Sequence, residues 1–486
     1  MVRSRSLIII LVACSLAVVP AAAQQQPPPP NHFQTAIDLY RASNLEGAIS
    51  ELNAALQATP DEPVLLSWLG FIYMKQSKPD EAIPLLENAV SKRQDMTEAY
   101  NNLGNAYLAK GRVADAVGAY EKAISLNPKA GSARYNLANL YLRQGRTADA
   151  MEQYTAAAEL IPDDPNILNN LGYAYYLSSD WEQSAAAYTK AASLSPQDSI
   201  PWMNLGIALT KKGDLDKAIE ALEKAVALDA SNYVARVALG EAYVAKGAAE
   251  SAIAQFQAAA ELKPAEFAPH NNLAILFARQ GNYQRAVEES NRALEARPSD
   301  LYAINNLGWI LFAQGKLDEA RGQFEKAVNL NKNFLLAHSN LAVVYQKQRQ
   351  TDLAAAEWRE VQRINPKSVT AAVSLGNMLL TGGKYAEAAA EYDKAVKLDA
   401  ANVHALNGLG LVSEKTGKLS EAIGYYTKAV AANPKFAIGY NNMGVAYEKQ
   451  RNLVRAKSCY SKALELDPAY KDAADNLARL SQSKAK

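Results

Sequence analysis

A 34-residue period constrains this chain more than any other feature in it. From Thr97 to Pro128 the sequence reads TEAYNNLGNAYLAKGRVADAVGAYEKAISLNP, with Leu103, Gly104, Tyr107, Gly111, Ala116, Tyr120, Ala123 and Pro128 as landmarks. Thirty-four residues on, Leu137, Ala138, Tyr141, Gly145, Ala150, Tyr154, Ala157 and Pro162 occupy the same places. The period runs from residue 29 to residue 470 without insertion or deletion, in thirteen repeats that start at 29, 63, 97, 131, 165, 199, 233, 267, 301, 335, 369, 403 and 437. Such a chain is not three ordinary globular domains laid end to end. Each repeat is one supersecondary element that cannot bury its apolar faces alone, so its neighbours must cover them.

The repeated residues say which element. With Gly104 as position 8, that position is Gly or Ala in all thirteen repeats, and position 7 is Leu in all but two, Thr35 and Met443. Position 20 is Ala except for Ser184, and position 27 is Ala except for Val361. Positions 4, 7, 8 and 11 fall on one stripe of a helix, and positions 20, 24 and 27 on one stripe of a second. Small residues at 8, 20 and 27 let two backbones approach closely, and large ones at 11 and 24 fill the space beside them. Position 15 is Gly in eight repeats, as at Gly111, Gly213 and Gly315, where a left-handed residue would end the first helix. Proline at position 32 in nine repeats stops the second. The spacing predicts an all-α chain of antiparallel helix pairs.

This pattern resembles the tetratricopeptide repeat family over residues 29–470, about nine tenths of the chain. The resemblance implies a right-handed superhelical solenoid of about thirteen helix pairs, with the first helix of each pair lining the concave face. The first repeat departs most, with Thr35 at position 7 and Leu39 at position 11. Residues 471–486 place Leu477 and Ala478 at positions 7 and 8 of an unfinished repeat, and read as a capping helix over the last pair.

The other end is different. Arg3 and Arg5 precede the apolar run Leu7–Val19, and Ala21-Ala22-Ala23 closes the segment. This is the layout of a signal peptide over residues 1–23, too short in its apolar run to span a bilayer, which takes about 20 residues. Cleavage after Ala23 would remove two positive charges from a chain of net charge +1 and leave −1. Leu11-Val12-Ala13-Cys14 resembles a bacterial lipobox, so a lipid anchor at Cys14 stands as the alternative to plain export. Residues 24–30, QQQPPPP, read as a Gln/Pro-rich linker of polyproline II character. An exported protein, periplasmic or secreted, is expected.

Composition and motifs narrow the function classes. Lys plus Arg number 51 against 50 Asp plus Glu, a balance that gives no footprint for nucleic acid. The two cysteines, Cys14 and Cys459, offer no disulfide framework. No phosphate-binding loop is present, since Gly382-Gly383-Lys384 is followed by Tyr385, and neither H-E-x-x-H nor G-x-S-x-G occurs. His270 and His338 share position 4, on the face between the two helices, and read as structural. No catalytic residue, cofactor or metal site is expected.

What remains is the opposite stripe of the first helix, positions 2, 6, 9 and 13. Position 6 lies about 150° from the centre of the core stripe at 100° per residue, and is expected to face away from it. It is Asn in eight repeats: Asn102, Asn136, Asn170, Asn204, Asn272, Asn306, Asn340 and Asn442. Asn is a mediocre helix former, and its amide matches a peptide group in donors and acceptor. The ladder is similar to that of O-linked N-acetylglucosamine transferase repeats, which implies binding of an extended peptide backbone; an accompanying transferase domain is not expected. The alternative is a structural role between neighbouring helices. Position 9 is often apolar, as at Phe71, Tyr173, Ile207, Ile275, Trp309, Val343, Leu411 and Val445. Position 2 adds Ile200, Val234, Tyr302, Leu336 and Ile438. Lys75, Arg143, Lys211, Arg279, Lys347, Lys415 and Lys449 at position 13 form a basic rim, suited to a carboxylate on a partner. The expected function is a non-enzymatic scaffold of the bacterial cell envelope that binds a protein or peptide segment. The resemblance implies assembly of secretion, pilus, polysaccharide-export or outer-membrane machinery. The alternatives are a substrate-recruiting partner of a glycosyltransferase or other enzyme, and a chaperone-like peptide binder. Residues 165–368 are the expected binding region.

Overall fold

The computed structural model describes residues 30–482. The signal segment 1–23, Cys14, most of the 24–30 linker and the last four residues lie outside the described residues. The described chain holds 27 α-helices and no strand, arranged as consecutive helix pairs. It divides into two compact units, one ending at Pro264 and one beginning at Ala265.

The first unit contains seven pairs. They are α1 Pro30–Arg41 and α2 Leu45–Ala58, α3 Pro63–Lys75 and α4 Pro79–Lys92, α5 Thr97–Ala109 and α6 Val113–Leu126, α7 Gly131–Arg143 and α8 Thr147–Leu160. Then come α9 Pro165–Leu177 and α10 Trp181–Leu194, α11 Ser199–Lys212 and α12 Leu215–Leu228, α13 Tyr233–Lys246 and α14 Ala249–Leu262. The second unit contains α15 Phe267–Arg279 and α16 Tyr283–Ala296, α17 Leu301–Ala313 and α18 Leu317–Leu330, α19 Leu335–Lys347 and α20 Thr351–Ile364. It continues with α21 Val369–Thr381 and α22 Tyr385–Leu398, α23 Val403–Lys415 and α24 Leu419–Ala432, α25 Ala437–Lys449 and α26 Leu453–Leu466. The last helix, α27 Lys471–Gln482, packs on α26 through Leu477 and Leu480.

Local sequence accounts for the helix ends. The side chains of Asp180, Asn232, Asn282, Asp300, Ser368 and Asn452 each cap a first turn by accepting a backbone N–H. After every first helix the residue at position 15 takes a positive φ. Eight of these are glycines, and the other five are Ser43, Ser77, Ser179, Arg349 and Arg451. The geometry is therefore required in every repeat, whether or not glycine is there to make it easy.

Within a pair, position 8 meets position 24. A Cβ added to Gly104 would stand 2.5 Å from the Tyr120 ring, and one added to Gly206 would stand 2.3 Å from Leu222. Both separations are below contact distance, so the small residue sets how closely the helices pack. Between repeats, Tyr at position 11 donates its hydroxyl to Glu at position 25 of the preceding repeat: Tyr107 to Glu87 at 2.7 Å, Tyr141 to Glu121 at 3.0 Å, Tyr243 to Glu223 at 2.5 Å and Tyr345 to Glu325 at 3.1 Å. Burial and the adjacent carboxylate push Tyr107, Tyr243 and Tyr345 up to about 12, so the phenol stays protonated and the bond persists over the physiological range.

Candidate partner-binding surface

The structure corrects the expected direction of position 6. Asn102, Asn136, Asn170 and Asn204 are buried. A first helix has two packed sides: its own second helix, and the first helix of an adjoining repeat. The angular estimate from the core stripe counts only the former. Position 6 faces the latter, and its amide donates to position 5 of the preceding repeat. Asn136 Nδ2 reaches Asn101 Oδ1 at 2.9 Å, Asn204 reaches Asn169 at 2.9 Å, Asn340 reaches Asn305 at 2.8 Å and Asn442 reaches Asn407 at 2.9 Å. Asn476 to Asn441 at 3.1 Å carries the series onto α27. Asn170 bonds Asn139 at 3.0 Å and the Tyr135 hydroxyl at 3.1 Å. These amides join successive first helices.

Two of the eight behave differently. Asn272 on α15 and Asn306 on α17 are half-buried, and neither makes a side-chain hydrogen bond among the described residues. Their amides remain available.

Position 9 also divides. Ile207 is buried beside Met203 and Leu239, and Phe71 is buried in the first pairs, so neither is surface. Tyr173, Ile275 and Val343 are half-buried. Trp309 is 48% exposed, and at position 2 Tyr302 is 41% and Leu336 44% exposed. Tyr302, Asn306 and Trp309 are spaced by four and three and share one face of α17. Asn272, Ile275 and Arg279 do the same on α15, and Leu336, Asn340, Val343 and Lys347 on α19. In the second unit α15 touches α17 and α17 touches α19 directly, so these three faces adjoin. Tyr302 is set edge-on against Phe334, with ring centroids 5.4 Å apart at 84°. Exposed aromatic and aliphatic side chains next to unengaged amides form the surface in this unit that is chemically suited to a polypeptide.

The other singled-out residues have structural roles. His270 Nδ1 lies 2.6 Å from Glu289, which also meets Arg292, and His338 Nδ1 lies 2.6 Å from Glu357. His32 with Glu51, Arg134 with Gln153 and Arg236 with Gln255 repeat the same pairing of positions 4 and 23. It is a tie within the helix pair. Cys459 is buried against the second helix's core side, and burial pushes its thiol up to about 11. Among the described residues no group of three His, Cys, Asp or Glu side chains is placed to hold a metal, and no helix is long and apolar enough to cross a membrane.

One pairing escaped the sequence reading although the sequence carries it. Where position 24 is Tyr, its hydroxyl needs an acceptor, and Asn at position 9 supplies it: Tyr120 to Asn105 at 2.7 Å, Tyr154 to Asn139 at 2.6 Å and Tyr392 to Asn377 at 2.7 Å. Glu at position 12 does so for Tyr426 and Tyr460. Where position 24 is Leu, Phe or Trp, position 9 is released from that duty, as at Ile207, Trp309 and Val343. The variable chemistry of position 9 thus follows in part from the residue beneath it.

Comparison with known proteins agrees with this architecture. Family models described as tetratricopeptide repeat match residues 33–93, 69–131, 102–165, 135–199, 169–233, 209–276, 265–333, 339–403, 395–437 and 437–470. No curated protein matches. Among solved structures, the chain is similar to YrrB, described as a tetratricopeptide protein with an unusual peptide-binding site, at 22% identity over 39% of this chain and 97% of that one, with a TM-score of 0.34. It is also similar to yeast Tom70, at 16% identity over 93% and 95% with a TM-score of 0.37. The Cut9–Hcn1 hetero-tetramer of APC/C matches at 16% identity over 93% and 90%, with a TM-score of 0.37.

Proposed function

The chain belongs to the tetratricopeptide repeat family, and from that premise we propose that it is an exported, non-enzymatic interaction scaffold that holds a partner polypeptide on the first-helix faces of α15, α17 and α19. The observation that carries the proposal is the joint exposure of Tyr302, Trp309 and Leu336 beside the unengaged amides of Asn272 and Asn306. Apolar side chains left in water are stabilised when a partner covers them, at about 25 cal/mol per Å², and aromatic anchors dominate such contacts. The free amides supply donors and acceptors for the backbone of the same segment. Asn102, Asn136, Asn170 and Asn204 belong to the framework of this reading, not to its contact surface.

Assembly of an envelope complex is the cellular setting that the N-terminal segment suggests. N-terminal sequencing of the mature protein separates a start at Gln24 from a lipid-modified Cys14.

Site-specific photocrosslinking tests the surface. A crosslinking amino acid at position 309 is expected to give a discrete protein adduct in cells, and one at the exposed Leu353 of α20 is expected not to. Equal adducts from both positions, or none from 309, would remove the basis for this reading.

A further inference from the structure

The cations at position 13 do not recur in every repeat. Lys75, Arg143, Lys211, Arg279, Lys347 and Lys415 are spaced by 68 residues, with Ala109, Leu177, Ala245, Ala313 and Thr381 between them. Fold alone gives no reason for a two-repeat period, because each repeat packs in the same way. In the second unit Arg279, Lys347 and Lys415 are exposed, and their side chains make no ion pair or hydrogen bond among the described residues. The two cations that break the alternation differ in use: Arg41 meets Asp38, and Lys449 pairs with the buried Glu414 at 2.7 Å.

The faces that carry these three cations hold no acid. From residue 267 to 436, positions 2, 6, 9 and 13 contain no Asp or Glu. Arg279 follows Ile275 by one helical turn, and Lys347 follows Val343 by one turn. The cations therefore border the apolar surface of α15, α17 and α19 on its C-terminal side, two first helices apart.

We propose that this register selects an extended, acidic–apolar segment of a partner polypeptide, with side-chain carboxylates that meet Arg279 and Lys347 while apolar residues between them cover Trp309 and its neighbours. The inference rests on the reading of that surface as the binding face. Helices in contact lie about 8–10 Å apart, so cations two helices apart stand roughly 16–20 Å apart. An extended chain advances about 3.3 Å per residue, which puts the two carboxylates about five or six residues apart. An anionic polysaccharide is the poorer fit: it would stack on Trp309 and Tyr302, and it would leave Leu336, Val343 and Ile275 without a partner.

Peptide binding to the full chain decides the matter. The probe is a fluorescent, C-terminally amidated peptide with two Glu residues six apart and Leu and Phe between them. The controls are the same peptide with Gln for Glu, a version with the Glu residues three apart, and dextran sulfate as an anionic polymer. The six-spaced peptide is expected to bind roughly two- to thirty-fold tighter than the Gln control at low salt, the range two exposed ion pairs supply, and up to about five-fold tighter than the three-spaced control, which keeps one pair; the advantage should shrink as salt screens them. R279A/K347A should erase the advantage and leave Gln-peptide binding unchanged. W309A should weaken acidic and Gln peptides alike. If W309A weakens binding but R279A/K347A does not, the charge register is wrong and the surface stands. If W309A changes nothing, or the wild-type chain binds no peptide, the surface itself is wrong. Binding of dextran sulfate alone, lost in R279A/K347A, overturns the polypeptide assignment.

Discussion

At the scale of single residues, position 24 shows how a repeated fold tolerates variation only in pairs. Tyr188 occupies that position in the 165 repeat, with Tyr173 at position 9 and Tyr176 at position 12. Neither supplies an amide or carboxylate acceptor, and the buried Tyr188 hydroxyl has no hydrogen-bond partner among the described residues. An unsatisfied buried hydroxyl costs about 1–3 kcal/mol. Tyr188→Phe is therefore expected to stabilise the chain by about 1 kcal/mol, whereas Tyr120→Phe removes the bond to Asn105 and should destabilise it by about 1–2 kcal/mol. Denaturant titration of the two variants reads the opposite signs; a loss in both would show that Tyr188 is satisfied by something else. Position 15 offers a second case. Arg349 holds φ 59° and Gly315 φ 81°. The left-handed region costs a residue with a Cβ about 1–2 kcal/mol, and glycine's extra freedom in the unfolded chain costs about 0.5–1. Arg349→Gly should gain about 0.5–1 kcal/mol, and Gly315→Ala should lose about as much, both read as shifts in the denaturation midpoint.

At the scale of elements, the helix pairs were legible and the surface between first helices was not. Gly104, Tyr120 and Ala123 identify a close-packed pair because size complementarity depends on two positions in one repeat. The direction of Asn136 depends on Asn101 in another repeat, 35 residues earlier, and a helical wheel for one helix does not contain that neighbour. Trp309 stands out in the sequence as apolar at position 9, and in the structure its side chain is half exposed. Ile207, equally apolar at the same position, is consumed by packing against Met203 and Leu239. The last element adds a test by pH. Arg479 on α27 holds both carboxylate oxygens of Glu448 on α25, and these hydrogen bonds hold the Glu448 carboxyl below the ordinary glutamate range. A carboxylate with a depressed folded pKa stabilises above its unfolded value and loses that contribution as pH falls through the folded one. Hydrogen exchange in α27 should therefore be unchanged from neutral pH to about 5, after correction for the intrinsic rate. It should accelerate below about 4.5 ahead of α25 and α26. Glu448→Gln should remove the pH step, and a step that survives the substitution would assign it to another group.

At the scale of the whole molecule, what decides behaviour is that side-chain hydrogen bonds such as Asn204 to Asn169, 35 residues apart, join adjoining repeats. Stability in such a chain is close to a sum of repeat and nearest-neighbour contributions. That property was readable from the period itself, since identical repeats in register can pack only on their neighbours. The division into two compact units at Pro264 was not, because the repeat continues across it unchanged in length. The first unit gives a direct test of short-range coupling. Leu222 is fully buried and fills the space above Gly206, so Leu222→Ala should cost about 2–5 kcal/mol locally. If the neighbour terms are weak relative to that loss, amide exchange should rise in α11, α12 and α13 while α1 to α4 of the same unit keep their protection. A uniform rise across the first unit would mean that interfaces such as Tyr107 with Glu87 bind its seven pairs into one cooperative block. In that case a partner seated on one pair would stiffen distant ones as well.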